Sequence, residues 1–339
     1  MPALTFVPPE VFESTWHSEK GTPEERAAAF ADLARLNTLS MVMQAGSGHL
    51  GSSFSALDIV SWVYLTRLDV YGGDSAAELA GTFFSSKGHD APGVYAVLTA
   101  TRRLDPALVH RLRRLDGLPG HPDVRTPWVE ANTGSLGMGI SKAKGMIEAD
   151  RLLGTSRPVY VMTGDGELQE GQNWEALQGA ANRGLSELTV IVDHNKIQSD
   201  TWVRRVSDLG DLEAKFSAFG WAVRRCNGHD LTAVADAVTA LEQDPRPGVL
   251  VADTVKGSGV SFMEEFAQDG DFYPFHSGAP SEGDYTRALA EITERVTERM
   301  DHLGVDLTTF QVDVPARSAT TGAKLVDAWA AALVERAAR

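Results

Sequence analysis

The feature that most constrains this chain is a strand, turn, helix and strand pattern within residues 158–197. Residues 158–162 form an apolar run suited to a buried parallel strand, and the glycines flanking Asp165 then turn the chain sharply. A helical pattern follows to Ala181, and residues 188–192 form a second apolar run. The pattern predicts one βαβ unit.

Polar residues follow both strands of this unit. Its parallel strands end at one edge of the sheet, so Asp165 and Asn195 are expected close together although 30 positions separate them. A carboxylate, an amide oxygen and a nearby carbonyl suit Mg²⁺ that also holds a diphosphate. Gly164 and Gly166 let the backbone approach phosphates. A lone Gly-Asp-Gly is usually only a turn, but the complete unit predicts a magnesium–diphosphate site.

Strand and helix patterns alternate along much of the chain, which predicts an α/β fold with a doubly wound, mostly parallel sheet flanked by helices. We expect an irregular N-terminal arm over residues 1–22, one large domain over 23–305, and a linker with a final helix over 306–339. Near the start, Thr22 caps a helix to about residue 44, a glycine-rich loop covers 45–52, and the next helix begins at about residue 55.

Composition narrows the functional classes. The net charge of −15 opposes nucleic-acid binding, and no apolar run approaches the roughly 20 residues that span a membrane. The N-terminus has no signal-peptide pattern, and the single cysteine, Cys226, excludes an internal disulfide. We therefore expect a cytoplasmic protein.

Five of the nine histidines lie in loops that contain glycine: His49, His89, His121, His229 and His276. Any one of them is more often a structural loop residue than a functional one. Several in similar loops are harder to dismiss, because imidazole donates hydrogen bonds and carries protons near neutral pH. The spacings of zinc sites are absent from the sequence.

Eight segments in order across about residues 30–280 resemble transketolases. They are SGHLGSSFSA, SSKGHDAPGVYA, LPGHPD, VEANTGSLGMG, GDGELQEG…DHNKIQSD, NGHD, TVKGSGVSFME and FHSGAP. The resemblance is to the N-terminal, diphosphate-binding (PP) domain of that family. It implies a thiamine diphosphate- and Mg²⁺-dependent transferase that moves a two-carbon ketol unit from a ketose donor to an aldehyde acceptor.

The resemblance also implies roles for individual residues. Asp165, Asn195 and the carbonyl of Ile197 would bind Mg²⁺. The catalytic histidines would be His49, His89, His121 and His276, which line the mouth of the site and contact sugar hydroxyls. The cofactor-binding residues would be His89, Gly134, Ser135, Leu136, Gly164, Asp165, Gly166, Glu167, Asn195 and His276.

Glu170 and Glu175 match family glutamates at the interface that links two active sites. The alternative is that both are ordinary acids near a helix start, where they complement the helix dipole. The chain departs from the family pattern at Leu50 and Ser135, each in place of a proline, and at His194, in place of an asparagine. None of these departures removes a side chain to which a role is carried over.

Residues 316–324 resemble the segment that opens the pyrimidine domain of transketolase, and the sequence ends about one helix later. The resemblance therefore implies the N-terminal subunit of a split transketolase. A separate C-terminal subunit would carry the pyrimidine domain and its activating glutamate, in an α₂β₂ assembly acting on sugars or sugar phosphates.

Three alternatives stay open. The chain could be the α-subunit of another two-chain thiamine diphosphate enzyme, although its histidine-bearing loops and FHSGAP segment speak against this. It could be a non-catalytic, cofactor-binding subunit. A nicotinamide-binding domain is the third alternative, but the glycines of residues 134–139 have the wrong spacing and no strand directly before them.

Overall fold

A central sheet of five parallel strands organises the computed structural model, which describes residues 2–72, 80–269 and 271–307. The strands are β1 (Thr82–Ser85), β2 (Val159–Gly164), β3 (Leu188–His194), β6 (Ala222–Asn227) and β7 (Gly248–Asp253), in the order β1-β2-β3-β7-β6. A separate antiparallel pair joins β4 (Ile197–Gln198) to β5 (Thr201–Trp202). Every neighbouring pair in the large sheet is parallel, as the sequence predicts.

Helices cover both faces of this sheet. They are α1 (Pro9–Trp16), α2 (Pro23–Ala45), α3 (Leu50–Trp62), α4 (Ala91–Ala100), α5 (Gly139–Leu152), α6 (Gly171–Asn182), α7 (Val203–Val206), α8 (Leu212–Ala218), α9 (Leu231–Glu242), α10 (Ser261–Asp269) and α11 (Glu282–Leu303). Short 3₁₀ helices run over Pro106–Arg111 and Gly166–Gln169, and a π-helical turn, Val63–Arg67, extends α3.

Alternate residues of the strands enter two different hydrophobic cores. On β2, Tyr160 and Met162 join the core that contains α2, α3, α4, α9 and α11. Val159 and Val161 join the core that contains α5, α6 and α8. Successive side chains of a strand point to opposite faces, so a continuous apolar strand requires helices on both sides. The predicted doubly wound α/β fold is confirmed.

The prediction that the N-terminal arm is irregular is wrong over α1. Val11 and Phe12 are fully buried, and the Phe12 ring meets Phe30 of α2 edge to face at 4.7 Å. Pro9 at the first turn starts the helix, and the apolar contacts stabilise an eight-residue helix that would be marginal in isolation. The division of the chain into arm, domain and linker otherwise stays a prediction.

The prediction that α3 begins near residue 55 is also wrong. Gly46 adopts a left-handed conformation and ends α2, and α3 begins at Leu50, with His49 as its N-cap. Gly51 permits this early start, because a β-carbon there would lie 2.6 Å from the Tyr273 ring. The predicted cap of α2 is present: Thr22 and Glu25 form a reciprocal capping box.

The C-terminal predictions lie mostly beyond the described residues. Helix α11 ends at Leu303, where Gly304 adopts a left-handed conformation. The predicted pyrimidine-domain segment, 316–324, and the predicted final helix lie outside the described ranges. Within residues 2–72, 80–269 and 271–307, no helix is both long and apolar enough to cross a membrane.

Candidate active site

The candidate site lies at the carboxyl edge of the sheet, where the loops after β2, β3 and β7 meet. Gly164 of β2 is in register with Asp193 of β3, and His194 is in register with Asp253 of β7. The three strands therefore deliver their loops to the same level. The backbone N–H of Asp165 donates to the Asp193 carbonyl at 3.3 Å, which joins the first two loops directly.

The predicted magnesium residues belong to these two loops. The Asp165 carboxylate is buried and accepts hydrogen bonds from the backbone N–H groups of Gly166 (2.7 Å) and Lys196. The Asn195 side-chain oxygen accepts from the Ile197 N–H at 3.0 Å. Burial raises the pKa of the Asp165 carboxyl, because the surroundings disfavour its charged form. The structure thus brings together the residues that the sequence places 30 positions apart.

The third predicted ligand, the carbonyl of Ile197, contacts a lysine that the sequence analysis did not select. The Lys256 ammonium donates to this carbonyl at 3.2 Å and to the Ser199 carbonyl at 2.9 Å. The side chain is buried, which lowers the pKa of Lys256 to about 7. Lys256 can therefore change its charge near neutral pH at the edge of the predicted metal site.

A buried ion pair supports the floor of the site. The Lys87 ammonium donates to the Asp193 carboxylate at 2.6 Å, and the same carboxylate accepts from Ser55 Oγ at 2.7 Å and from Asn195 Nδ2 at 3.1 Å. Burial acts to raise the pKa of Asp193, but the Lys87 charge and these hydrogen bonds lower it overall. Because Asp193 engages the amide nitrogen of Asn195, the amide oxygen is left on the side of Ile197.

Four of the five loop histidines form one cluster. The ring centroid of His49 lies 5.5 Å from that of His89, 6.2 Å from that of His121 and 5.1 Å from that of His276. The His89 and His276 rings are 5.8 Å apart. These residues come from four separate loops, so only the fold assembles them.

Burial keeps the clustered histidines neutral. It lowers the pKa of His49 to about 4 and that of His276 to about 3, and neighbouring cations such as Lys256 act in the same direction. Burial also lowers the pKa of His121 and holds the pKa of His89 well below its ordinary range. At neutral pH each imidazole therefore offers one N–H donor and one acceptor nitrogen.

The partners of these histidines differ. His89 Nδ1 lies 2.9 Å from the Lys87 carbonyl and its Nε2 lies 3.0 Å from Ser52 Oγ, so its ring is fixed from both sides. The Nδ1 atoms of His49 and His276 are buried and have no hydrogen-bond partner within the described ranges. Buried polar atoms normally find partners, which makes these two nitrogens candidates for ligand contacts.

The glycine-rich loop before α5 borders the histidine cluster. Gly134, Ser135 and Leu136 are exposed, and a β-carbon on Gly134 would meet only His121, at 4.0 Å. The buried Glu167 holds this loop in place. Its carboxylate accepts from the Gly137 N–H (2.8 Å), the Gly164 N–H (3.1 Å) and the hydroxyl of Ser86.

The remaining predicted residues lie apart from the cluster. Glu170 is the N-cap of α6 but makes no capping bond, and Glu175 lies beyond its first turn; both are exposed. The fifth loop histidine, His229, donates from Nδ1 to the Asp58 carboxylate (2.7 Å) and accepts at Nε2 from the Val255 N–H (2.9 Å). It therefore supports the loop that carries Lys256.

Sequence reasoning missed Lys87, Asp193 and Lys256 as site residues. Both lysines lie inside the conspicuous segments SSKGHDAP and TVKGSG, which is the signal that could have identified them. Lysine is nearly always solvated, and only the tertiary structure shows that these two are 1 % exposed.

Comparison with known proteins places the chain in a family. Residues 26–271 match the sequence profile described as "Transketolase, thiamine diphosphate binding domain". An apulose-4-phosphate transketolase subunit from Actinobacillus succinogenes is 34 % identical over 249 residues, which cover 73 % of this chain and 88 % of that protein. The 6-deoxy-6-sulfo-D-fructose transketolase subunit SqwG of a Clostridium species is 34 % identical over 237 residues, which cover 69 % of this chain and 86 % of that protein.

Solved structures show the same fold. Transketolase from Leishmania mexicana superposes with a TM-score of 0.69 at 23 % identity, over 84 % of this chain and 46 % of that one. Transketolase from Campylobacter jejuni superposes with a TM-score of 0.64 at 23 % identity, over 85 % of this chain and 50 % of that one. The chain thus spans about half the length of these solved transketolases. From its sequence profile and its relatives, this chain belongs to the transketolase family, whose thiamine diphosphate-binding domain it contains.

Proposed function

We propose that this chain is the cofactor-binding subunit of a two-chain, thiamine diphosphate- and Mg²⁺-dependent transketolase. It would transfer a two-carbon ketol unit from a ketose to an aldehyde together with a C-terminal subunit. The observation that carries the proposal is the meeting of two groups at one sheet edge: the Asp165–Asn195 loops and the cluster of His49, His89, His121 and His276.

The residues at this edge fit a magnesium ion with a diphosphate. Asp165, Asn195 and the Ile197 carbonyl offer three hard oxygen donors, the type that Mg²⁺ prefers. Gly166 lets this turn pack closely against the loop after β3, since a β-carbon there would lie 2.6 Å from the Gln198 side chain. Gly164 and Glu167, predicted to bind cofactor, lie on the same turn. The buried Glu167 carboxylate accepts three protein hydrogen bonds, so we assign it to holding loops rather than to direct contact.

Thiamine diphosphate, when bound, supplies the electron sink that ketol transfer requires. The chain's own residues bind and orient the reactants around it. Neutral His49 and His276, with their unpartnered Nδ1 atoms, would hydrogen-bond sugar hydroxyls or phosphate oxygens and pass protons between them. His89, held by Ser52 and Lys87, would present a ring of fixed orientation. Gly134, Ser135 and Leu136 would border the cofactor rings.

The relatives support a two-chain enzyme. Two of them are named as subunits of apulose-4-phosphate transketolase, and this chain covers 88 % and 92 % of their lengths. We propose a partner that carries the transketolase pyrimidine domain, an α₂β₂ assembly, and sugars or sugar phosphates as substrates. Glu170 and Glu175 are exposed and available to an interface; Glu170 makes no capping hydrogen bond at the start of α6, and Glu175 lies beyond its first turn. The single Cys226 fits a cytoplasmic location.

The test is a ketol-transfer assay with thiamine diphosphate and Mg²⁺ on three samples. They are this chain alone, a candidate partner carrying the pyrimidine domain alone, and the mixture. We expect activity only in the mixture, and loss of that activity with His276→Ala. Activity of the rigorously purified chain alone would contradict the two-chain assignment. If none of the three samples were active but calorimetry showed cofactor binding, the result would favour another thiamine diphosphate enzyme or a non-catalytic subunit.

A further inference from the structure

Three arginines lie in the segment that leads to His121: Arg111, which ends a 3₁₀ helix, and Arg113 and Arg114 in the loop that follows. Two of them are engaged by backbone carbonyls. Arg111 donates to the Leu115 carbonyl at 2.9 Å, and Arg114 donates to the Gln44 carbonyl at 3.2 Å. Arg113 instead donates to the hydroxyl of Ser47 at 2.8 Å. This bond links the loop of His121 to the loop of His49.

The position of the Arg113 guanidinium follows from two neighbours. It lies over Gly120, where an added β-carbon would come within 3.1–3.3 Å of three of its atoms. Gly120 directly precedes His121, and Ser47 lies two residues before His49. The backbone of Arg113 has a φ of 54°, which is uncommon outside glycine, and its N–H donates to the Leu118 carbonyl at 2.7 Å. The fold therefore places this cation beside two of the four clustered histidines.

The charge of this cation is not neutralised by a carboxylate of the described residues. Arg113 is exposed and forms no ion pair within residues 2–72, 80–269 and 271–307, although the chain carries a net charge of −15. Its charge reaches the cluster, since it contributes after burial to the lowered pKa of both His49 and His121. A guanidinium has five N–H donors in a fork that matches oxyanions, and the hydrogen bond to Ser47 uses one.

We propose that Arg113 binds the anionic end group of the sugar substrate, a phosphate ester or a sulfonate, while the histidine cluster contacts its hydroxyls. This inference rests on the proposed function. It means that the cofactor-binding chain would itself help to select the substrate. A planar guanidinium fork beside imidazoles that bind hydroxyls would distinguish a charged sugar from its neutral counterpart.

The kinetic test compares matched acceptors in the assembled two-chain enzyme, with L-erythrulose as an uncharged ketol donor. The acceptor pair is D-erythrose 4-phosphate and D-erythrose. Arg113→Gln should raise KM for the phosphorylated acceptor by roughly 10- to 100-fold and leave KM for the neutral one unchanged, because a charge-assisted contact is lost. Arg113→Lys should retain part of the preference. Arg114→Gln is the control and should alter neither value.

A second readout does not need activity. In the full chain with isotope-labelled histidines, added inorganic phosphate or sulfate should raise the pKa values of His49 and His121 measured by NMR, and Arg113→Gln should abolish this response. An unchanged response in Arg113→Gln would overturn the proposal even if the mixture proved inactive. Equal loss of activity with both acceptors, together with dissociation of the two chains, would assign Arg113 to the subunit interface instead and would also overturn it.

Discussion

At the residue scale, Asp165 shows how a binding residue opposes the stability of the free chain. Its carboxylate is buried at the sheet edge with two backbone N–H donors, and burial raises its pKa. A bound cation would offset the cost of the buried charge, whereas the free chain bears that cost alone. Binding and stability should therefore respond differently when the charge is removed.

Asp165→Asn should leave the stability of the free chain within about 1 kcal/mol, because a lost hydrogen bond is balanced by removal of a buried charge. It should also weaken Mg²⁺-dependent thiamine diphosphate binding. Loss of a residue that only supports a metal ligand weakens metal binding by roughly 10- to 100-fold, and loss of the ligand itself should have a larger effect. Calorimetric titration and thermal unfolding measure the two effects. The exposed Asp208→Asn is the control, and unchanged cofactor affinity in Asp165→Asn would rule out the metal assignment.

A network of buried charges supports the site from the opposite side of the Lys256 loop. Arg35 is 2 % exposed and bridges Asp32 and Asp58, and it also donates to the Ser258 carbonyl at 3.0 Å. His229 links Asp58 to the Val255 N–H. The loop that presents Lys256 is thus fixed to α2 and α3 by paired charges, which are costly to separate.

At the scale of secondary-structure elements, α1 shows that a short helix can be held entirely by its contacts. It has no side-chain N-cap bond, but Phe12 is fully buried against Phe30 of α2. Its last turn is near the end of α11, where Thr15 Oγ1 lies 3.5 Å from the sulfur of Met300. Helix α1 therefore closes the outer face of the larger hydrophobic core.

Phe12→Ala should lower the free energy of unfolding by about 3–5 kcal/mol, since it leaves a cavity in a packed core. The exposed Glu13→Ala on the same helix should change it by less than about 0.5 kcal/mol. Urea unfolding followed by tryptophan fluorescence measures both. If the two variants were equally stable, α1 would not be part of the folded core in solution.

At the scale of the whole molecule, the histidine cluster couples stability to pH. In the unfolded chain the imidazoles of His49 and His276 have ordinary pKa values near 6.5. In the folded chain burial lowers these values to about 4 and about 3. Between these limits the unfolded state binds more protons than the folded state, so the free energy of unfolding falls as the pH drops below about 6.5.

Replacing both residues by glutamine should therefore flatten the pH dependence of stability. After allowance for partial solvent screening, each histidine should account for about 1 kcal/mol of the loss between pH 7 and pH 5. Urea unfolding of the cofactor-free chain at the two pH values measures this. An equally steep loss in the double variant would show that other groups, not His49 and His276, carry the proton linkage.

The sequence by itself determined the parallel α/β sheet, the βαβ unit around Asp165 and the loops that hold the clustered histidines. These features are local, because the spacing of apolar residues, the turn residues and the capping residues all occur within short segments. The sequence also placed Asp165 and Asn195 together, since a βαβ unit ends both strands at one edge.

Only the tertiary structure decided which distant loops touch. It set Lys256 against the Ile197 carbonyl 59 residues away, Lys87 against Asp193 106 residues away, and Arg113 against Ser47 66 residues away. It also formed α1 where the sequence alone suggested an irregular arm. Such contacts depend on how helices and loops pack across the sheet, and no local pattern specifies that packing, because burial is a property of the assembled core.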